Sequence, residues 1–219
     1  VTIDNTVVHS GKSSLKFVAK SSATTKKMIR IRTDNGQVQV KSGNKYHISF
    51  YYYTPVTGGG WDFCYTFCST YDWGMNNAAF GSQYELNTNP IGNKGAAVWH
   101  RADVVFTAGK ATDKYKYLTM YIQGGKTSRE LYIDDISVTQ IADDDNVVIV
   151  NTPAGKKAVY GKMGDDYSVL VDRKYNDQYL AGIYTDSSYS AKVSSTVFSD
   201  ETTPIKDNIP TTVYAVYAD

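Results

Sequence analysis

The sequence has few of the residues and runs that mark several protein classes. Its 219 residues include only two cysteines, three histidines and five prolines. No apolar run approaches the ~18 residues of a membrane-spanning helix, so we expect no membrane insertion. The formal net charge is +1, and such a balance gives no general attraction to nucleic acid. We therefore expect neither a membrane nor a nucleic-acid partner.

The two cysteines, Cys64 and Cys68, predict neither a disulfide nor a metal site. In an extended strand, residues four apart are separated by roughly 13 Å, at ~3.3 Å per residue. A disulfide needs Cα atoms within about 7 Å, so a bridge would require a turn between the two. We expect free, partly buried thiols. The histidines are spread along the chain without the spacing of a zinc site.

Helix signals are scarce, and short runs of alternating apolar and polar residues predict an all-β fold. Gly, Asn, Asp or Pro interrupt these runs at the spacing of roughly 8–12 residues that is typical of a β-sandwich. The first part predicts these strands: Val1–Val8, Ser14–Ala19, Lys27–Thr33, Tyr46–Tyr53, Trp61–Phe67, Ala97–Phe106, Tyr115–Ile122 and Leu131–Gln140.

The acidic residues Asp143–Asp145 separate this part from a second one with a different texture. We predict two domains, residues 1–142 and residues 146–219. In the second domain the pattern predicts strands at Val147–Val150, Ala158–Tyr160, Tyr167–Val171 and Thr212–Tyr217, with one short helix as an open alternative. The chain starts within folded-looking sequence, so we expect it to be a piece of a larger modular protein.

Aromatic residues, in contrast, are abundant, with 19 Tyr, 7 Phe and 3 Trp. They concentrate between Gly58 and Asn77, where the ends of a predicted strand carry large rings on turn-rich sequence. The apolar face of a sugar ring stacks on such rings, while amides and carboxylates bind its hydroxyls. This pattern predicts a carbohydrate site formed by Trp61, Asp62, Tyr71, Asp72, Trp73, Asn76 and Asn77, with Tyr121 and Gln123 from a strand that could line the same face.

The alternative is that these rings fill a sandwich core or a protein interface. It applies most strongly to Phe63, Tyr65 and Phe67, which alternate with polar residues inside the strand. The long polar connection from Gly74 to Gly95 favours a functional role, because long loops within compact domains usually carry one.

No enzyme motif accompanies the aromatic segment. A glycosidase needs two carboxylates across a cleft, and Asp62, Asp72 and Glu85 lie in no recognisable catalytic frame. The sequence has no nucleophile elbow, phosphate-binding loop or dinucleotide fingerprint. We expect no catalytic activity.

Four stretches of the first part resemble carbohydrate-binding modules of the family 4, 9 and 22 type, which are jelly-roll β-sandwiches. They are HSGKSSLKF from His9, YHISFYYYTP from Tyr46, VWHRADVVFTAG from Val98 and LYIDDISVTQI from Leu131. Their order and spacing match the family over about 140 residues. The opening strand departs from the family pattern at Val1–Asn5.

The resemblance implies roles for the matched positions. Trp99 falls on the family's structural tryptophan, which places it in the core. Many members hold a structural Ca²⁺ between an Asp of the last strand and carbonyls of the early turn, which here implies Asp134 or Asp135 with Gly11 and Lys12. The alternative is an aspartate paired with a basic residue or hydrogen-bonded to a turn.

The second part resembles the Listeria–Bacteroides repeat of internalin-type surface proteins, which is β-grasp-like. YLAGIYTDSSYSAKV from Tyr179 and TTVYAVYAD from Thr211 carry this likeness, and Ile183 replaces the usual Trp. The two-part organisation also resembles starch-adherence proteins of gut bacteria. The resemblances imply a secreted or bacterial cell-surface protein that binds a polysaccharide, with starch or another α-glucan favoured. Xylan or β-glucan binding, or an adhesion module without a glycan site, are the alternatives.

Overall fold

The computed structural model describes residues 1–19, 25–30, 32–33, 36–37, 39, 41, 43–55, 63–68, 97–107, 119–124, 129–153, 155–198 and 211–219. For the strands within 25–37, 63–68 and 119–124, the structure describes the backbone but not the side chains. Apart from one 3₁₀ helix, the regular elements of these residues are β-strands. The prediction of an all-β chain is therefore confirmed.

The strands are numbered in chain order. They are β1 (Thr2–Asp4), β2 (Ser14–Val18), β3 (Thr25–Arg30), β4 (Arg32–Thr33), β5 (Gly36–Gln37), β6 (Lys45–Tyr53), β7 (Phe63–Cys68), β8 (Trp99–Thr107), β9 (Thr119–Gly124), β10 (Glu130–Ile141), β11 (Asn146–Thr152), β12 (Gly155–Gly161), β13 (Lys174–Tyr175), β14 (Gln178–Tyr184) and β15 (Thr211–Ala218). The 3₁₀ helix spans Tyr167–Leu170.

The chain divides into two compact units. Unit 1 comprises Val1–Asn44, Phe50–His100 and Thr107–Ile136, and unit 2 comprises Lys45–Ser49, Arg101–Phe106 and Ser137–Asp219. Strands β6, β8 and β10 contribute residues to both units. The domain boundary predicted between residues 142 and 146 lies at the turn joining β10 to β11, where Asp145 N donates to Ala142 O at 3.0 Å. That boundary stays a prediction.

In unit 1, one sheet has the strand order β1-β2-β10-β6-β8. Strands β1 and β10 both pair antiparallel with β2, so Lys16 lies between Thr2 and Tyr132. The buried face of this sheet carries four residues that are at most 1% exposed, which are Phe17, Phe50, Leu131 and Ile133. Their removal from water supplies the hydrophobic stabilisation of this sheet.

The other sheet of unit 1 is antiparallel, with β9 between β3 and β7. Strand β7 runs unbroken from Phe63 to Cys68. Cys64 and Cys68 therefore occupy one continuous strand, without the turn that a disulfide between them would need. The short pair β4–β5 places Thr33 opposite Gly36.

Unit 2 contains the strand order β12-β11-β15-β14-β13. Strand β15 pairs parallel with β11 and antiparallel with β14, so it lies in the middle of this sheet. Val150, Tyr167, Ile183, Phe198 and Val213 belong to its core and are at most 4% exposed. Ile183, which replaces the aromatic residue of the resembled repeat, is thus a buried core residue.

In unit 2, one predicted strand was wrong and two observed strands were not predicted. The predicted strand at Tyr167–Val171 is the 3₁₀ helix, because Asp166 accepts a hydrogen bond from Ser168 N and caps its first turn. Such a local side-chain bond competes with strand pairing. Strands β13 and β14 were missed, because β14 lacks clear alternation: Gly182 interrupts it, and its register shifts between Leu180 and Gly182.

Candidate functional site

Most of the predicted carbohydrate site lies outside the described residues. This applies to Trp61, Asp62, Tyr71, Asp72, Trp73, Asn76 and Asn77. The described strand β7 begins at Phe63, directly after Trp61 and Asp62.

The structure pairs this entry point with the strand that carries Tyr121 and Gln123. On β9, Gln123 lies opposite Cys64 of β7, and Tyr121 lies opposite Thr66. Because residues two apart share one face of a strand, Tyr121 and Gln123 lie on the same face. The end of β9 with Gln123 lies beside the end of β7 that follows Asp62. The backbone thus places Tyr121 and Gln123 on the strand paired with β7, which follows Trp61 and Asp62 in sequence.

A second aromatic group in unit 1 lies on the other sheet. We call it the Trp99 cluster, and it consists of His9, Tyr51, Tyr53, Trp99 and Tyr132. His9 stacks on Tyr51, with ring centroids 3.7 Å apart, and meets the edge of Trp99 at 5.5 Å. Tyr53 lies 5.5 Å from Trp99 and 5.8 Å from Tyr132. The cluster therefore crosses strands β10, β6 and β8.

Trp99 is half-buried in this cluster, as are Tyr51 and Tyr53. The prediction that Trp99 belongs to the buried core was wrong. The reason is that side chains alternate between the two faces of β6. Tyr52 is 5% exposed and belongs to the core face. Tyr51 and Tyr53 therefore occupy the opposite face, where Tyr53 contacts Trp99. The resemblance correctly marked a position that carries an aromatic ring, but it did not show the ring's exposure.

Polar residues border the Trp99 cluster on both sides. On one side, Lys16 Nζ forms an ion pair with Glu130 Oε1 at 2.6 Å and lies over the Tyr132 ring, 5.1 Å from its centroid. The hydrogen bond from Lys16 lowers the pKa of Glu130, and the same bond raises the pKa of Lys16. Both groups therefore stay ionised, and their charges cancel.

On the other side, Asp135 is hydrogen-bonded to the turn that follows β1. Its carboxylate accepts a hydrogen bond from Ser10 Oγ at 2.6 Å and lies 2.6 Å from His9 Nδ1. Burial raises the pKa of Asp135, but the hydrogen bonds from Ser10 and His9 outweigh burial and hold the pKa below its ordinary value. This contact fixes the His9 ring that stacks on Tyr51.

The predicted calcium residues lie around the same turn. Asp134 Oδ2 accepts hydrogen bonds from the backbone N–H of His9 at 2.9 Å and of Ser10 at 3.2 Å, and Asp134 Oδ1 accepts from Asp135 N at 2.8 Å. Gly11 has a left-handed backbone, with φ of 68°, which lets the turn reverse before Lys12.

All four carboxylate oxygens of Asp134 and Asp135 accept or share hydrogen bonds with the protein. Calcium needs about six to eight oxygen ligands whose lone pairs face the ion. The described contacts fit the alternative of aspartates hydrogen-bonded to a turn. Among the described residues, no group of three or more His, Cys, Asp or Glu side chains could hold a metal. Calcium at Asp134, Asp135, Gly11 and Lys12 stays a prediction.

Unit 2 contains a buried charged group that the sequence pattern did not indicate. Asp103 accepts hydrogen bonds from Arg101 Nε at 2.6 Å and from Ala158 N at 3.1 Å, and its Oδ1 is hydrogen-bonded to His47 Nε2. The Asp103 side chain is 0% exposed. Burial alone would raise the pKa of Asp103, but the bonds and charges of His47 and Arg101 hold it below its ordinary value.

No chemistry on a substrate follows from this buried group. It has no neighbouring nucleophile among the contacts of the described residues, and a fully buried carboxylate has no access to a glycan. Its donors and acceptors are instead mutually satisfied, as buried polar groups require. We assign it a structural role.

No protein-family profile and no curated protein match the sequence. Among solved structures, one named "Family 16 Carbohydrate Binding Module-2" is similar to 63% of this chain and to 83% of its own chain. The sequence identity is 12% and the TM-score is 0.38. A likeness of this size carries no functional argument, so the function proposed below rests on the residues of this chain. No helix in the described part has the length and apolar composition of a membrane span.

Proposed function

We propose that this chain is a non-catalytic polysaccharide-binding protein of the bacterial surface or secreted fraction, with starch or another α-glucan as its ligand. The supporting observation is the pairing of β9 with β7, which places Gln123 and Tyr121 beside the strand that Trp61 and Asp62 precede. Sugar recognition needs such a combination of stacking rings and amide or carboxylate groups.

The choice of α-glucan rests on the order of the residues in the sequence. Trp61 precedes β7, and Tyr71 and Trp73 follow it, so we expect the rings on the segments that flank this strand. Rings on projecting segments suit a curved chain, whereas a flat β-linked chain suits rings in one plane. Each stacked ring contributes on the order of 1 kcal/mol beyond its buried area, by analogy with aromatic pairs. We therefore expect micromolar or weaker affinity.

Affinity electrophoresis against starch, xylan and mixed-linkage β-glucan tests the proposal. We expect starch to retard the protein, and we expect Trp61→Ala, Trp73→Ala and Gln123→Ala each to weaken the retardation. Tyr189→Ala is the matched control, because Tyr189 is 52% exposed and belongs to unit 2. Retardation by xylan or β-glucan alone would replace the α-glucan assignment. No retardation by any of the three would leave the adhesion module as the better reading.

A further inference from the structure

The Trp99 cluster is not used by the site proposed above, which involves the other sheet of unit 1. Its rings are held in fixed positions: Tyr51 and Tyr53 occupy alternate positions of β6, and Trp99 opens β8. Buried neighbours on the opposite face, such as Tyr52, anchor the strand. Rings placed on regular strands form a more rigid surface than rings on loops.

The angle between the rings selects the shape of ligand that they fit. Tyr53 and Trp99 are tilted by 44° with centroids 5.5 Å apart. A flat chain of sugar rings can stack on only one of two rings that are tilted in this way. A chain that curves presents successive sugars at an angle to each other, so it can contact both. The tilt therefore favours an α-linked glucan over a β-linked chain.

The polar border of the Trp99 cluster favours an uncharged ligand. Lys16 is paired with Glu130, and Asp135 is hydrogen-bonded to His9 and Ser10, so these charged groups of the border already have partners within the protein. An anionic or cationic ligand would have to compete with these pairs. A neutral sugar needs only hydrogen-bond donors and acceptors for its hydroxyls, and the border supplies both.

From these observations we propose that Tyr53 and Trp99, which are not among residues 61–77, form a second α-glucan contact site in unit 1. The proposal rests on the proposed function in one respect, because it assumes the same neutral glycan. Two sites of modest affinity on one chain would increase retention on a long polysaccharide without increasing the affinity of either site, through a raised effective concentration.

Tryptophan fluorescence can observe this site alone, because the chain has three tryptophans, Trp61, Trp73 and Trp99. The Trp61→Phe/Trp73→Phe protein keeps rings at both replaced positions and leaves Trp99 as the only tryptophan. We expect its emission to change saturably during a maltoheptaose titration and to stay constant with xylohexaose. Adding Tyr53→Ala should weaken the apparent affinity about fivefold, by the loss of one stacking ring. Adding Tyr189→Ala should leave the affinity unchanged.

The outcomes separate this proposal from the proposed function. Constant Trp99 emission at millimolar maltoheptaose, in a protein that unfolds at the wild-type temperature and still binds a starch gel, would overturn the second site alone. An equal response to xylohexaose would overturn its α-glucan specificity. If the unmodified protein binds no polysaccharide at all, both proposals are rejected.

Discussion

His47 and Asp103 form a buried hydrogen-bonded pair in unit 2, although 56 positions separate them in sequence. His47 lies on β6 and Asp103 on β8, and Asp103 also accepts from Ala158 N on β12. Arg101, two residues before Asp103 on β8, adds a charged donor. One carboxylate thus receives donors from three strands, β6, β8 and β12.

We predict that Asp103→Asn lowers the free energy of unfolding at pH 7 by about 2–4 kcal/mol, since it removes the negative charge beside the buried His47 and the half-buried Arg101. Urea denaturation monitored by circular dichroism would measure the change. The matched control is Asp172→Asn, which breaks the ion pair with Lys157 at a carboxylate that is 65% exposed. That change should cost less than about 1 kcal/mol. Equal effects of the two substitutions would contradict the role given to Asp103.

The stabilisation by Asp103 should also depend on pH. Its pKa is below the ordinary value in the folded protein, so the folded state binds fewer protons than the unfolded state as pH falls towards that value. Its contribution is then fully present above the ordinary value of about 4 and is lost at lower pH. The stability gap between wild type and Asp103→Asn should be smaller at about pH 3 than at about pH 5. A gap that does not change down to about pH 3 would refute this account.

Gly155 should not tolerate a side chain. Its φ is 127°, and an added Cβ would lie 2.3 Å from the carbonyl oxygen of Arg101, at the point where β12 pairs with β8. We predict that Gly155→Ala costs more than about 2 kcal/mol, because backbone strain and a backbone clash add together. Gly164→Ala is the control, since Gly164 has a φ of 92° but an added Cβ there meets nothing within 4 Å. Thermal unfolding of both variants should show the larger loss at Gly155.

A calcium titration distinguishes the two accounts of Asp134. Because this carboxylate accepts three backbone N–H groups, Asp134→Ala should lower the free energy of unfolding by about 1–3 kcal/mol even in EGTA. The wild-type melting temperature should then be the same in calcium and in EGTA. A melting temperature that rises with calcium in the wild type, and not in Asp134→Ala, would support the predicted ion site instead.

The sequence predicted the strands of unit 1 well because their alternation is strong. Tyr46–Tyr53 differs from the observed β6 by one residue, and Ser14–Ala19 from β2 by one residue. Prediction failed at the 3₁₀ helix after Asp166, where one capping bond decides the local conformation. Alternation also says which residues share a face, but it does not say which face is buried. Trp99 was placed in the core by the family resemblance, which marks an aromatic position without showing which face of the sheet carries the ring.

Composition pointed to the aromatic segment from Gly58 to Asn77, and the sequence also named Tyr121 and Gln123. The strand register pairs β9, which carries those two residues, with β7. The Trp99 cluster joins residues near positions 9, 51, 99 and 132. No local pattern connects those positions, because strand order in the sheet creates their proximity. The buried Asp103 group was missed for the same reason.

The central place of β15 in unit 2 determines when this unit can fold during synthesis. Strand β15 (residues 211–218) pairs on one side with β11 (residues 146–152) and on the other with β14 (residues 178–184). Until the ribosome has released those last strand residues, β11 and β14 have no partner between them and expose unpaired edges. Unit 2 therefore closes only after residues 211–218 have left the ribosome, and a ribosome pause before residue 211 would prolong the period in which those edges can aggregate.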